Sequence, residues 1–256
     1  MSLAGQCYYR FGATRWGHRL ARDAVWGVRR LGGLRRFRMP LDSLALPHGA
    51  VRALMQLWRR MHWSSGDGMM PPPELLAVYR LAYHCQAAGD FVELGAWRGL
   101  TTAYLATACR ARGRGRVIAV DTFAGTREHD THYKSVVSSG GSTLEDFQRT
   151  IARADVTDWV TPCMGYTTAV AGQHARRRVA FLLIDADHSY PGVKADFEAW
   201  FPMVAPGGTV MFHDYAMPDG EVRAYVDREI RSRADLVAVP GVVVPNIYAA
   251  TRRRIG

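Results

Sequence analysis

Two stretches of this chain run from apolar residues straight into acids and imidazoles. Phe181-Leu182-Leu183-Ile184 leads into Asp185-Ala186-Asp187-His188-Ser189-Tyr190, and Thr209-Val210-Met211-Phe212 leads into His213-Asp214-Tyr215. Carboxylates and a histidine held close together repel or lose solvation unless a cation or a proton relay uses them, and such oxygen-rich donors suit Mg2+ or Mn2+. Asp185, His213 and Asp214 are therefore the candidate metal ligands. Asp185, His188 and His213 are the candidate catalytic groups, since an imidazole exchanges its proton near neutral pH. The plainer reading is that Asp187 or Ser189 only caps the helix beginning near Pro191.

Two further stretches have the composition of a nucleotide site. Phe91-Val92-Glu93-Leu94 is followed by Gly95-Ala96-Trp97-Arg98-Gly99, where glycines let the backbone turn sharply and approach a ligand at a helix N-terminus. The spacing is E-x-G-x-x-x-G, so the dinucleotide fingerprint G-x-G-x-x-G is not met, which argues against a nicotinamide dehydrogenase. The next apolar run, Arg116 to Val120, ends at Asp121, whose carboxylate can accept two hydrogen bonds from a ribose diol. An aspartate there can also simply cap the following turn.

Positioning these residues requires short buried strands separated by helices. The apolar runs 91–94, 116–120, 179–184 and 209–212 read as strands, while 99–111, 142–154, 191–204 and 219–233 have helical period. Ser142 and Glu145 have capping-box spacing, and Pro206-Gly207-Gly208 reads as the stop of the 191–204 helix. A further helix starts at the prolines 71–73, shows Leu75, Leu76, Tyr79, Tyr83 and Gln86 on one face, and ends by Gly89. Alternation of this kind predicts an α/β fold with a doubly wound, mostly parallel sheet, in which ligands sit beyond the carboxyl ends of the strands.

Charge separates the chain into two parts. Residues 1–60 hold twelve arginines against Asp23 and Asp42, whereas the remainder is formally neutral, so the net charge of +10 belongs to an extension. Between Arg10 and Arg38 an apolar stripe runs through Trp16, Leu20, Ala24, Val28 and Leu31, which predicts a basic amphipathic helix. Docking on the body or on a second subunit, contact with an anionic membrane and contact with nucleic acid all compete for it. The Gly- and Pro-rich residues 63–73 mark the boundary, giving a helical extension or lid over 1–67 and a catalytic domain over 68–256. The connection from Thr122 to Gly141, with His129, His132, Tyr133 and Lys134, has the length of a lid. Cys7, Cys85, Cys109 and Cys163 form no C-x-x-C pair, which suggests neither zinc nor disulfides and makes a reducing cytoplasm the simplest compartment.

VELGAWRGLTT, VIAVDTF, LIDADHSYPGVKADFEAW and VAPGGTVMFHDY, in this order, resemble the class I S-adenosylmethionine-dependent methyltransferases, and within them the branch of macrocin O-methyltransferase and cephalosporin-hydroxylate methyltransferase. The resemblance spans roughly residues 68 to 250 and implies a Rossmann-like seven-stranded sheet. It implies that Glu93 and Gly95 line the methionine part of S-adenosylmethionine and that Asp121, with Thr122 beside it, holds the ribose. Met164-Gly165-Tyr166 would pass near the adenine, and Asp185 and Asp214 match metal-binding positions of metal-dependent relatives. Several relatives have an acid where this chain has His213. The expected reaction is O-methylation of a sugar, glycoside or oligosaccharide hydroxyl, with Mg2+ or Mn2+ assistance and with Trp63, Trp97 or Tyr215 able to stack on a sugar face. A homodimer is the expected assembly and nucleic acid is not a favoured partner. A non-sugar natural-product hydroxyl and a non-catalytic cofactor-binding scaffold are the alternatives.

Overall fold

The computed structural model describes residues 45–61, 70–125, 142–217, 220–242 and 244–254. The extension stripe, Trp63 and the histidines of the 122–141 connection lie outside them. One compact unit runs from Leu46 to Ala216 and from Gly220 onward. It therefore takes in a helix, α1 (His48–Arg60), that lies before the compositional boundary at 63–73. Leu54 and Leu57 of α1 are fully buried, and Ala50 accepts a hydrogen bond through its carbonyl from the Tyr79 hydroxyl at 2.9 Å.

The chain continues as α2 (Pro72–His84), β1 (Asp90–Leu94), α3 (Leu100–Arg112), β2 (Val117–Asp121), α4 (Leu144–Ala154), β3 (Val160–Met164), α5 (Thr167–Gln173), β4 (Val179–Ile184), α6 (Tyr190–Trp200), β5 (Val204–Phe212), α7 (Glu221–Tyr225), β6 (Leu236–Ala238) and β7 (Tyr248–Arg252). The seven strands form one sheet in the order β3-β2-β1-β4-β5-β7-β6. All pairings from β3 to β5 are parallel, and β7 runs antiparallel between β5 and β6. The direction of the strand order reverses between β1 and β4. Their carboxyl ends thus define the crevice where doubly wound sheets bind ligands.

Both faces of the central strands are covered, which is why they read as unbroken apolar runs. On one face Phe197 and Trp200 of α6 pack over Val92, Leu182 and Val210. On α3 every residue from Leu100 to Cys109 is buried, because α1 and α2 cover its outer side. No helix among the described residues is long and apolar enough to cross a membrane.

Local chemistry moves several sequence-based boundaries. The 191–204 helix stops at Trp200 and passes through a 3-10 turn (Phe201–Met203) into β5, which already starts at Val204. Pro206-Gly207-Gly208 is therefore not a helix stop but a bulge inside the strand. The pairing with β4 shifts there, from Val179↔Val204 to Phe181↔Thr209, and a Cβ on Gly208 would come within 2.8 Å of the Ala205 carbonyl oxygen. The capping box at Ser142 and Glu145 does not form. Ser142 Oγ instead accepts from the Leu144 amide at 3.1 Å, an i to i+2 turn, and Thr143 takes the cap position without a side-chain bond. The 219–233 segment is α-helical only to Tyr225 and continues as a π-turn over Val226–Ile230. α2 ends at His84, so Gln86 lies beyond it.

Candidate active site at the strand carboxyl ends

The loop after β1 is held shut by backbone, not by side-chain packing. Gly95 has φ +88°, and a Cβ there would lie 2.1 Å from the Asp185 carbonyl oxygen, so only glycine lets the β1 and β4 ends come together. The Asp185 amide donates to Leu94 O and the Gly95 amide to Val120 O, each at 2.9 Å. Three non-glycine residues with left-handed backbone, Trp97, Phe123 and Asp214, stand at the ends of β1, β2 and β5. Strain of that kind collects where a site demands it.

Asp121 ties two of these ends together. Its Oδ2 accepts from the Trp97 amide and its Oδ1 from the Phe123 amide, both at 2.7 Å. Burial pushes its pKa up against the opposing pull of these backbone hydrogen bonds. The Ala96 and Thr122 amides add to that pull. Thr122 Oγ1 accepts from the Ala124 amide at 3.3 Å, which braces the same turn. Met164 lies opposite Asp121 in the β2–β3 register, and the Gly165 amide donates to Asp121 O at 2.9 Å. Met164 and Tyr166 are 68% and 73% exposed, an uncovered apolar shelf next to Asp121.

Glu93 is placed differently from the rest. It is 1% exposed, and its carboxyl accepts from the Thr102 hydroxyl on α3. Burial pushes its pKa well up, with Asp185 and Asp121 adding to the effect and Thr102 opposing it. Its visible contact is thus a brace between β1 and α3.

Beyond β4 and β5 the titratable groups converge. His188 places Nε2 3.5 Å from Asp185 Oδ1 and Nδ1 3.4 Å from Asp214 Oδ2, and its side chain is 43% exposed. One donor atom from each of Asp185, His188 and Asp214 lies within 4.8 Å of the others. Two carboxylates and an imidazole with solvent access fit a divalent cation of the Mn2+ or Mg2+ kind. Burial works against the charge on His188, but the Asp185 hydrogen bond and the Asp214 and Asp185 charges raise its pKa. Burial likewise works against ionised Asp214, yet His213, His188 and Asn246 hold its carboxyl well below the usual range.

The structure does not bring His213 into the three-residue cluster expected of it as a third ligand. Its Nε2 lies 2.7 Å from Glu74 Oε2 and its Nδ1 2.9 Å from Asp185 Oδ1, so both ring nitrogens face carboxylates. Burial disfavours its charge, but Asp185 and Asp214 outweigh that and raise its pKa well above the ordinary value. Sequence reading missed Glu74, fully buried on α2, and Asn246, whose Nδ2 donates to Asp214 Oδ1 at 3.0 Å. Each reaches the site from a distant element, a relation no local spacing encodes. Asp187 and Ser189 fill the plainer role: Asp187 Oδ1 accepts from the Ser189 amide at 2.9 Å, and Ser189 Oγ caps α6 through the Gly192 amide at 3.1 Å. Tyr215 is 8% exposed and packs against Tyr248 with Arg223 and Arg231 over its ring, which removes it as a sugar platform. Trp97 is half-buried, with the Arg98 guanidinium 5.5 Å from its ring centre. A groove of about 510 Å³ lined by His84, Cys85, Gln86, Gly207 and Arg252 lies apart from these acids.

Comparison with known proteins agrees with this fold. A family described as a methyltransferase domain matches residues 92–215. The solved O-methyltransferase NovP is 19% identical, with 80% of this chain and 100% of that one covered and a TM-score of 0.61. The O-methyltransferase TomG from Streptomyces achromogenes, involved in tomaymycin synthesis and solved with S-adenosylmethionine, is 17% identical over 82% of this chain and 91% of its own, with a TM-score of 0.56. CalS11, a calicheamicin methyltransferase, is 18% identical over 84% and 93%, with a TM-score of 0.53.

Proposed function

Residues 92–215 make this chain a class I, S-adenosylmethionine-dependent methyltransferase, and from that premise we propose that it methylates a hydroxyl of a sugar, glycoside or oligosaccharide with the help of a divalent cation. The observation that carries the reading is the cluster of Asp185, His188 and Asp214 next to the Asp121 loop. S-adenosylmethionine supplies an electrophilic methyl group on a sulfonium centre. A cation held by Asp185, Asp214 and His188 would lower the pKa of an acceptor hydroxyl and fix its oxygen. The chain's own task is then to hold both partners in line, since positioning supplies much of the rate in such a displacement. Asp121 and the β1 loop fix one side, and the β4 and β5 ends fix the other. With a cation in place His188 serves as its ligand and the acceptor proton leaves to solvent, whereas without one His188, the imidazole open to solvent, is the group able to receive that proton.

The sugar class rests on the resemblance of the four motifs. A non-sugar natural-product hydroxyl is the second reading, suggested by the likeness to TomG, an O-methyltransferase involved in tomaymycin synthesis. Transfer of labelled methyl from S-adenosylmethionine to a panel of glycosides and to aglycone phenols separates the two. With the accepted substrate, EDTA should abolish turnover, added Mg2+ or Mn2+ should restore it, and cofactor binding should survive chelation. Full turnover in EDTA together with its loss in His188→Ala would replace the metal reading by a metal-free general base.

A further inference from the structure

We propose that Glu74 is a positioning residue for this site: acting through His213, it fixes where the Asp185 carboxylate points. The inference rests on the reading of Asp185 and Asp214 as cation ligands. Glu74 sits in the first turn of α2, 139 residues before His213, and is 0% exposed. A buried carboxylate costs several kcal/mol unless it is paired and hydrogen-bonded, and an apolar residue would pack this helix as well. Its Oε2 meets His213 Nε2 at 2.7 Å, and the other ring nitrogen meets Asp185 Oδ1 at 2.9 Å. Turning the ring over would replace both nitrogens by carbons, so the two carboxylates together define one ring orientation. Asn246 stands beside the frame, its Nδ2 donating to Asp214 Oδ1 at 3.0 Å. Asp185 is thus aimed by α2 through His213, while Asp214 is aimed by the segment before β7. Outer partners of this kind orient ligands and tune their affinity for a cation.

The test uses the full chain and Mn2+ alone, followed by electron paramagnetic resonance. Glu74→Gln keeps volume and hydrogen-bonding capacity but loses the charge, and should weaken Mn2+ binding roughly 10- to 100-fold while S-adenosylmethionine affinity and the melting transition persist. His213→Asn should do the same. If Glu74 acts through His213, the double variant should lose no more than the worse single variant, whereas additive losses overturn the proposal. Long-range 1H–15N spectra of the His213 ring provide a readout that does not need the metal. Should the wild-type chain take up no Mn2+, the metal reading fails by itself. The ring spectra then decide the positioning claim: His213 signals that shift in Glu74→Gln support it, and unchanged signals sink it.

Discussion

Asp121 is the residue at which support of the loop and recognition of the cofactor can be separated by measurement. Its two oxygens already accept the Trp97 and Phe123 amides at 2.7 Å each. Removing the carboxylate therefore has two consequences. At least two backbone amides lose their partner, at about 1 to 3 kcal/mol each where they stay buried, and the acceptor oxygens proposed to meet the ribose diol disappear. Asp121→Ala should thus lower stability by about 2 to 6 kcal/mol and weaken S-adenosylmethionine binding by about 2 to 4 kcal/mol, or roughly 30- to 1000-fold. Asp121→Asn is the gentler probe, because its oxygen can keep one amide while its NH2 group faces the other. It should lose less stability and still bind S-adenosylmethionine at least about tenfold more weakly. Urea melts give the first quantity, and calorimetric titration of the folded variant gives the second. A variant that melts early but binds with wild-type affinity would show Asp121 to be only the clasp of its loop, and the ribose assignment would fall.

Further outcomes follow from other residues. Burial raises the Asp196 pKa from 3.8 to about 6, and its Oδ2 has no hydrogen-bond partner. The folded protein then holds a proton that the unfolded chain has lost between those values, so this contribution to stability is complete below pH 3.8 and is lost as pH rises through about 6. Asp196→Asn should remove that decline and raise stability at pH 8 by up to about 3 kcal/mol, as read by urea melts from pH 4 to 8; an unaltered pH profile would refute it. Gly95→Ala should prevent the β1 and β4 ends from closing, because its Cβ would sit 2.1 Å from Asp185 O, with a loss of stability and of S-adenosylmethionine binding together; wild-type binding in this variant would show that the loop is not the cofactor's seat. Deletion of residues 1–38 should change oligomeric state, stability or turnover if the apolar stripe is a docking face, measured by light scattering, melting and methyl transfer. No change in any of the three would leave only the membrane and nucleic-acid readings of the extension.

Which parts of this fold and site are legible in the sequence depends on whether the relevant partner is local. β1, β2, β4 and the second half of β5 stand out because both their faces are covered, which leaves unbroken apolar runs. β3 escapes the same reading: it is an edge strand whose Thr161 and Pro162 are exposed, and an edge tolerates a proline that a central strand would not. β7 escapes as well, since Tyr-Ala-Ala-Thr-Arg acquires its meaning only by pairing antiparallel with β5. The acids Asp121, Asp185 and Asp214 are visible because each closes an apolar run. The choice between His188 and His213 is not visible, as both follow acids or strands in the same fashion. The environments of the two rings differ through Glu74, which looks like any first-turn acid of a helix that starts with prolines. Only the packing of α2 brings its carboxylate to the buried ring and leaves the other ring half-exposed between Asp185 and Asp214, so what distinguishes the two imidazoles is a property of the tertiary fold and not of either motif.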